Sequence, residues 1–259
     1  MFLPDNVPII CNLPRDLEFA DIFFLHDIHF GSELFNEQKW KAVKKKIQDS
    51  DYAYVCWIGD IMENAVPNSK SDTFTQKLPP ALQKEMAAQE LFDLRNKTIS
   101  VVPGNHEHNR STKLCGIYPI YDVCMLAGID EKYRDTIAYL DIGVGTRNDS
   151  KKKQVHYFGQ TQHVAKNTKN GGTSDWTDGI DFFAYGHTHT PEDLPKAKMV
   201  FDHHNKIIYK RNIENLNSGS FCDFGGYGAK GAYRPQSDKM YKLRIFGGEK
   251  KMETTGFYV

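Results

Sequence analysis

The run Phe19-Ala-Asp-Ile-Phe-Phe-Leu-His26 leads directly into Asp27-Ile28-His29. A near-continuous apolar run of this length fits a strand buried on both faces. In an extended segment residues i and i+2 point the same way, so Asp27 and His29 can reach one cation. Three more blocks follow the same plan. Tyr52–Ile58 runs into Gly59-Asp60, Thr98–Val102 into Pro103-Gly104-Asn105-His106-Glu107, and Asp181–Tyr185 into Gly186-His187-Thr188-His189. Oxygen and imidazole donors at the ends of successive strands are what a two-cation hydrolytic site requires. One Asp-x-His means little, and Gly-Asp alone is usually a turn; four such blocks in order are hard to reach by chance.

Between these strands the first half of the chain reads as helical. Glu33–Gln48 carries Leu34, Trp40, Val43 and Ile47 on one side and lysines on the other, the spacing of a helix with one buried face. Ala81–Leu94 follows Pro79-Pro80 as a second helix, and Pro119–Ala127 is a third, ended by Gly128. Asn64–Pro80, with three prolines, reads as a loop. The second half predicts strands over Ile137–Ile142, Gln154–Gly159, Asp181–Tyr185, Lys198–Phe201, Lys206–Arg211, Leu216–Phe221, Met240–Phe246 and Thr254–Val259. Lys166–Asp178, rich in Gly, Asn, Thr and Ser, reads as a mobile loop. Gly225–Gly231 lacks the Lys-Ser/Thr of a phosphate-binding loop and reads as a turn. The layout predicts an α/β fold, one domain over residues 1–259, with strand ends converging on one rim where ligands bind.

Composition narrows the partners. Of 259 residues, 33 are Lys or Arg and 33 are Asp or Glu, so the formal net charge is zero. A chain-wide basic footprint for non-specific nucleic-acid binding is excluded, although a local basic groove is not. Five cysteines without a CxxC pair give neither a zinc knot nor a disulfide framework, and read as reduced thiols of a cytoplasmic protein. No stretch reaches about 18 apolar residues and the first residues lack a signal-peptide pattern, so no membrane partner is expected.

Each block has its own chemistry. Asp60 can bridge two cations, with Gly59 allowing the tight turn before it. Asn105 supplies a neutral oxygen suited to a hard or borderline cation. His106 points elsewhere and is placed for proton transfer or phosphate contact. His187 and His189 can serve two cations from one segment. Glu63 and Glu107 are expected to support the ligands from behind. His108 and Arg110 could contact a substrate phosphate, Arg110 by a bidentate grip; a solvated loop is the equal alternative. His26, on the opposite strand face from Asp27, reads as structural, and His203-His204 as a hairpin edge.

At these residues the sequence resembles the calcineurin-like metallophosphoesterase superfamily, whose pattern is D-x-H, G-D, G-N-H-[DE], a lone His and G-H-x-H. The match runs from about Ile22 to Thr190, and Asn217-Ser218-Gly219-Ser220 looks like the family's Asn-x-Gly-Ser turn. The resemblance implies a four-layer α/β/β/α sandwich, two mixed sheets flanked by helices, with a motif-bearing core of about residues 19–222. It implies two divalent cations, manganese foremost, with iron, zinc or magnesium also fitting. Asp27, His29 and His189 would hold one, Asn105, His163 and His187 the other, and Asp60 would bridge them. His106 would donate a proton to the leaving group, and a metal-bridging hydroxide would attack phosphorus. For the lone His, His163 is favoured over His156, which lies inside its strand.

The resemblance also bears on substrate. Protein phosphatases of the family continue Gly-Asp with arginine, whereas here Ile61-Met62-Glu63-Asn64 follows Asp60. Pro67-Asn68-Ser69 resembles the Pro-Ser loop of the family's DNA-repair nucleases. The leading expectation is therefore a phosphodiesterase acting on a nucleotide or nucleic acid. A small-molecule phosphomonoesterase is the alternative, and a non-catalytic scaffold the third reading.

Overall fold

The computed structural model describes residues 2–67, 69, 73–164, 176–230 and 234–259, with backbone alone at 227 and 228. The sequence expectations at Asn68, over most of the Lys166–Asp178 loop and at Gly231 lie outside the described residues.

Strand β2 (Phe19–Leu25) lies at the centre of a five-stranded sheet. On one side it pairs in parallel with β3 (Ala53–Ile58), which pairs in parallel with β4 (Thr98–Val102). On its other side β11 (Lys239–Phe246) runs antiparallel, followed by β12 (Met252–Tyr258). The second sheet has seven strands. Its order is β1 (Ile9–Asn12), β5 (Ile137–Val144), β6 (Val155–His163), β7 (Phe182–Gly186), β10 (Ile207–Asn217) and β8 (Glu192–Asp193). Strand β9 (Lys196–Asp202) pairs with the first half of β10.

The apolar run of β2 is explained by cover on both faces. Ile22 and Phe24 point between the sheets, where they meet Leu140, Ile142, Tyr157, Phe182 and Leu216 of the second sheet. Phe23 and Leu25 point the other way, into a cluster with the helices. Those helices are α1 (Glu37–Gln48), α2 (Pro80–Asp93) and α3 (Pro119–Ala127). Trp40, Val43 and Ile47 of α1, and Ala87 and Leu91 of α2, bury their helical stripe on Trp57 and Val101. Burying each large side chain contributes about 1.5–3 kcal/mol. Trp57 also donates its indole N–H to Thr98 Oγ1 at 3.1 Å, so no polar atom is left stranded by its burial.

Boundaries differ from the sequence reading where local chemistry intervenes. Helix α1 starts at Glu37, because the Asn36 side chain accepts the Lys39 backbone N–H at 2.8 Å and caps it there. The two runs read as Lys206–Arg211 and Leu216–Phe221 form one strand, β10, which pairs first with β9 and then with β7. Residues Ser218–Phe221 leave that strand. Gly226–Lys230 is a short helix, α4, rather than a turn. Strand β1, unexpected from sequence, pairs in parallel with β5.

Of the four layers expected, both mixed sheets and the helices over the first are in place. On the second sheet, Val164, Ile180, Phe183, Tyr185 and Ile213 form a separate buried cluster. No helix of the described residues is long and apolar enough to cross a membrane.

Candidate metal centre

Strands β2, β3 and β4 of one sheet and β6 and β7 of the other end at the same rim, and each motif block sits just past such an end. The close approach depends on missing side chains. A Cβ on Gly104 would lie 2.1 Å from Asp60 Oδ1 and 2.2 Å from Asp60 N. One on Gly59 would lie 2.6 Å from the Gly104 backbone. These two glycines let the second and third blocks touch.

The donors then converge. Asp27, His29 and His189 each offer a ligand atom within 4.8 Å of the others, and so do Asp60, His163 and His187. A third such group, His29, Asp60 and His106, joins the two. Asp27 Oδ1 lies 3.3 Å from His163 Nε2 and 3.4 Å from His189 Nε2. Asp60 Oδ2 lies 3.4 Å from His163 Nε2 and 3.7 Å from His106 Nε2. The Nε2 atoms of His29 and His189 face each other at 3.3 Å.

The backbone is bent to achieve this. Among the described residues eight non-glycine positions have positive φ, and five of them are Asp27, His29, Asp60, His187 and His189, at 49°, 56°, 45°, 93° and 56°. Such conformations cost on the order of 1–3 kcal/mol each and persist where surrounding structure enforces them. The enforcing bonds are visible. His187 N–H donates to Asp27 Oδ2 at 2.7 Å, His106 N–H to Asp60 Oδ1 at 2.8 Å, and Phe221 N–H to the Asp27 carbonyl at 3.1 Å.

Three side chains brace the donors. Glu107 is fully buried and accepts the Met62 and Gly104 N–H groups, both at 2.8 Å, pinning the second block to the third. Glu63 Oε2 lies 3.2 Å from His29 Nδ1, an ion-pair contact that turns the Nε2 of that ring toward His189. His26, also fully buried, joins Asp27 Oδ2 at 2.7 Å through Nδ1, while its Nε2 accepts the Ser218 N–H at 3.0 Å. Sequence reasoning missed this third brace. Alternation along β2 turns the His26 ring away from the rim, but not away from its neighbour's carboxylate.

The electrostatics follow from this packing. Burial opposes ionisation of Asp60, yet His106, His163 and His29 around it hold its carboxyl down at about 2. Asp27, likewise buried, is held well below the usual range by His189, His163 and His26. Burial works against protonation of His29, but Glu63, Asp60 and Asp27 outweigh it and raise the imidazole to about 9; Asp60 and Asp27 raise His163 to about 8 against the same burial. Burial pushes Glu107 up to about 7, with Asp60 adding to the push. His106 goes the other way. Burial takes it down to about 4, helped by His29 and Arg110.

These donors fit divalent cations. Two carboxylates and a ring of imidazoles match a hard or borderline cation. The Asn105 Oδ1 atom is buried without a hydrogen-bond partner, a costly state for a carbonyl unless it has a ligand to meet.

Not every expected residue joins the centre. His156 pairs with Asp141 Oδ1 at 2.7 Å near the start of β6, away from the rim, whereas His163 ends that strand among the donors. His108 is exposed on the π-helical turn His108–Thr112. Arg110, on the same turn, does reach the centre. Its Nη1 donates to the Glu63 carbonyl and lies 3.2 Å from Glu63 Oε1, and its Nη2 lies 3.0 Å from His106 Nε2.

No known family profile matches this chain, and no curated protein matches it. Among solved structures, it is similar to the calcineurin-like phosphoesterase YfkN from Bacillus subtilis, with 10% sequence identity over 92% of this chain and 90% of that one, at a TM-score of 0.45. The functional reading rests on the residues of the rim.

Proposed function

We propose that this chain is a di-cation phosphoester hydrolase of the calcineurin-like kind, and a phosphodiesterase in particular. The observation that carries the reading is the pairing of two depressed carboxylates, Asp27 and Asp60, with four converging imidazoles and the unpartnered Asn105 carbonyl. Asp27, His29 and His189 would hold one divalent cation and Asn105, His163 and His187 the other, with Asp60 shared. Cations so held supply Lewis acidity toward phosphoryl oxygens and lower the pKa of water.

The chain's own residues do the rest. Arg110, anchored on Glu63, presents a guanidinium beside His106 and would take one face of a phosphate. His106 Nδ1 faces the Glu63 carbonyl at 2.9 Å, which fixes the ring and leaves Nε2 toward the centre. To hand a proton to the departing oxygen, Nε2 would first have to take one up and release Arg110, because Nδ1 carries the hydrogen toward the Glu63 carbonyl and burial holds the ring down to about 4. Glu107 and Gly104 keep the second and third blocks in register while this happens.

A nucleotide or nucleic-acid diester is the substrate class we favour, on the two sequence features next to Asp60: no arginine follows it, and a Pro67–Ser69 loop does. The test uses manganese-loaded protein on a bis-aryl phosphate, the mono-aryl phosphate, and labelled single- and double-stranded DNA, with Asp60→Asn as control. Diester or DNA cleavage that vanishes in the control supports the reading. Turnover of the monoester alone overturns the diesterase and leaves a small-molecule phosphatase.

A further inference from the structure

His26 has no counterpart in the motif blocks, yet it is the most enclosed imidazole at the rim. Both ring nitrogens are engaged. Nε2 sits 3.0 Å from the backbone nitrogen of Ser218, which can only donate, so Nε2 must be the acceptor. In a neutral ring Nδ1 therefore carries the hydrogen, and it points at Asp27 Oδ2, 2.7 Å away.

Ser218 is itself fixed. Its hydroxyl donates to the Tyr241 carbonyl at 2.9 Å and accepts the Tyr241 N–H at 3.2 Å, so the Asn217–Ser220 turn is bolted to β11 of the other sheet. The same turn holds the fourth block, because Asn217 Nδ2 donates to Thr188 Oγ1 at 3.1 Å. Asp27 Oδ2 is thus filled from two sides, by His26 Nδ1–H and by His187 N–H at 2.7 Å. Oδ1 is left as the oxygen that faces His163 and His189.

We infer that His26 is a positioning residue. It relays the fixed Asn217–Ser220 turn to Asp27 and sets which carboxylate oxygen is presented to a cation. The inference rests on Asp27 being a cation ligand. Its geometric half does not, and can be read without any metal. Outer partners of this kind typically change metal affinity by about 10–100-fold when removed.

The test has two parts. In chelator-treated wild-type protein, ring ¹H–¹⁵N correlation spectra, assigned by comparison with His26→Gln, should show His26 neutral with the hydrogen on Nδ1. The hydrogen on Nε2, or an imidazolium, overturns the relay. Cobalt titration followed by visible absorption then compares wild type with His26→Phe and His26→Gln. Phenylalanine fills the space without either bond. The glutamine amide can donate to Asp27 and accept from Ser218. The expected result is about 10–100-fold weaker binding of one cobalt ion in His26→Phe with an altered d–d spectrum, and recovery of most of the loss in His26→Gln. Unchanged affinity and spectrum in His26→Phe overturns the inference. Should the phenylalanine variant not fold, the wild-type tautomer and the glutamine titration decide. A protein with the expected tautomer that binds no cobalt would refute the metal reading instead.

Discussion

The Nε2 atoms of His29 and His189 face each other across 3.3 Å, although 160 residues separate them in the chain. At that distance the two nitrogens share a hydrogen, with the raised His29 imidazole as donor. His29 is turned inward by Glu63 on its other nitrogen, and His189 by a left-handed backbone at φ 56°. The strained backbone is held by the fold at a cost, and the proposed cation would take the place of the shared hydrogen. The predictions below follow from that balance between strain and ligation.

Asn105 should matter for metal and not for folding. Its Oδ1 makes no hydrogen bond, so Asn105→Ala removes no stabilising contact. Unfolding in chelator should change by no more than about 0.5 kcal/mol. Metal content after dialysis should fall toward one cation per chain. Thermal unfolding with and without manganese checks both, since the stabilisation by metal should shrink in the variant.

Replacing His189 separates the two sides of the balance more sharply. Glycine accepts φ 56° freely and alanine does not. His189→Gly should therefore be more stable than His189→Ala by about 1 kcal/mol in chelator, the reverse of their order in a helix. Both should lose the cation at Asp27 and His29. Urea denaturation of the pair, with the alanine variant coming out the more stable, would contradict the strain argument.

His106 is placed to act on the substrate rather than to hold metal. His106→Ala should keep both cations and slow turnover by about 10²–10⁴-fold. Metal analysis alongside steady-state rates decides it. If the alanine variant loses a cation, His106 is a ligand through the His29–Asp60–His106 grouping, and the proton donor must be sought elsewhere.

Far from the centre, Asp21 gives a pH-dependent prediction. Burial raises its carboxyl, but Arg244, whose Nε lies 2.7 Å from Oδ1, and Lys242, which contacts Oδ2, outweigh burial and lower it below the ordinary 3.8. A depressed folded-state value means the stabilisation is fully present above 3.8 and is lost as pH falls through the lower folded value. Asp21→Asn should cost about 1–3 kcal/mol at pH 7. The gap to wild type should stay constant down to about pH 5 and then close. Urea unfolding across that range measures it; a gap that widens in acid would reverse the sign.

Much of the cluster could be read from the chain because its candidate ligands sit in short blocks after apolar strands, where local spacing decides direction. Asp27, His29, Asp60, His187 and His189 are of this kind. His163 rests on less: His156 is set aside because it lies inside its strand, and the length of β6 then places His163 at the rim and His156 beside Asp141. Alternation gives His26 as structural, but it describes where a side chain points, not which neighbour's carboxylate curls back to meet it. The register of the second sheet was likewise hidden. Strand β10 is long because it exchanges β9 for β7 partway along, and no residue in Asn212–Asn215 announces that.

The central claim is that two cations sit between these blocks with Asp60 shared. Metal stoichiometry on the manganese-reconstituted protein, wild type beside Asp60→Asn, tests it most directly. Two cations per chain in the wild type, and a clear loss in the variant together with its phosphoester hydrolysis, is the predicted result. A wild type that retains no cation after reconstitution, or an Asp60→Asn protein with two cations and full turnover, would contradict the account.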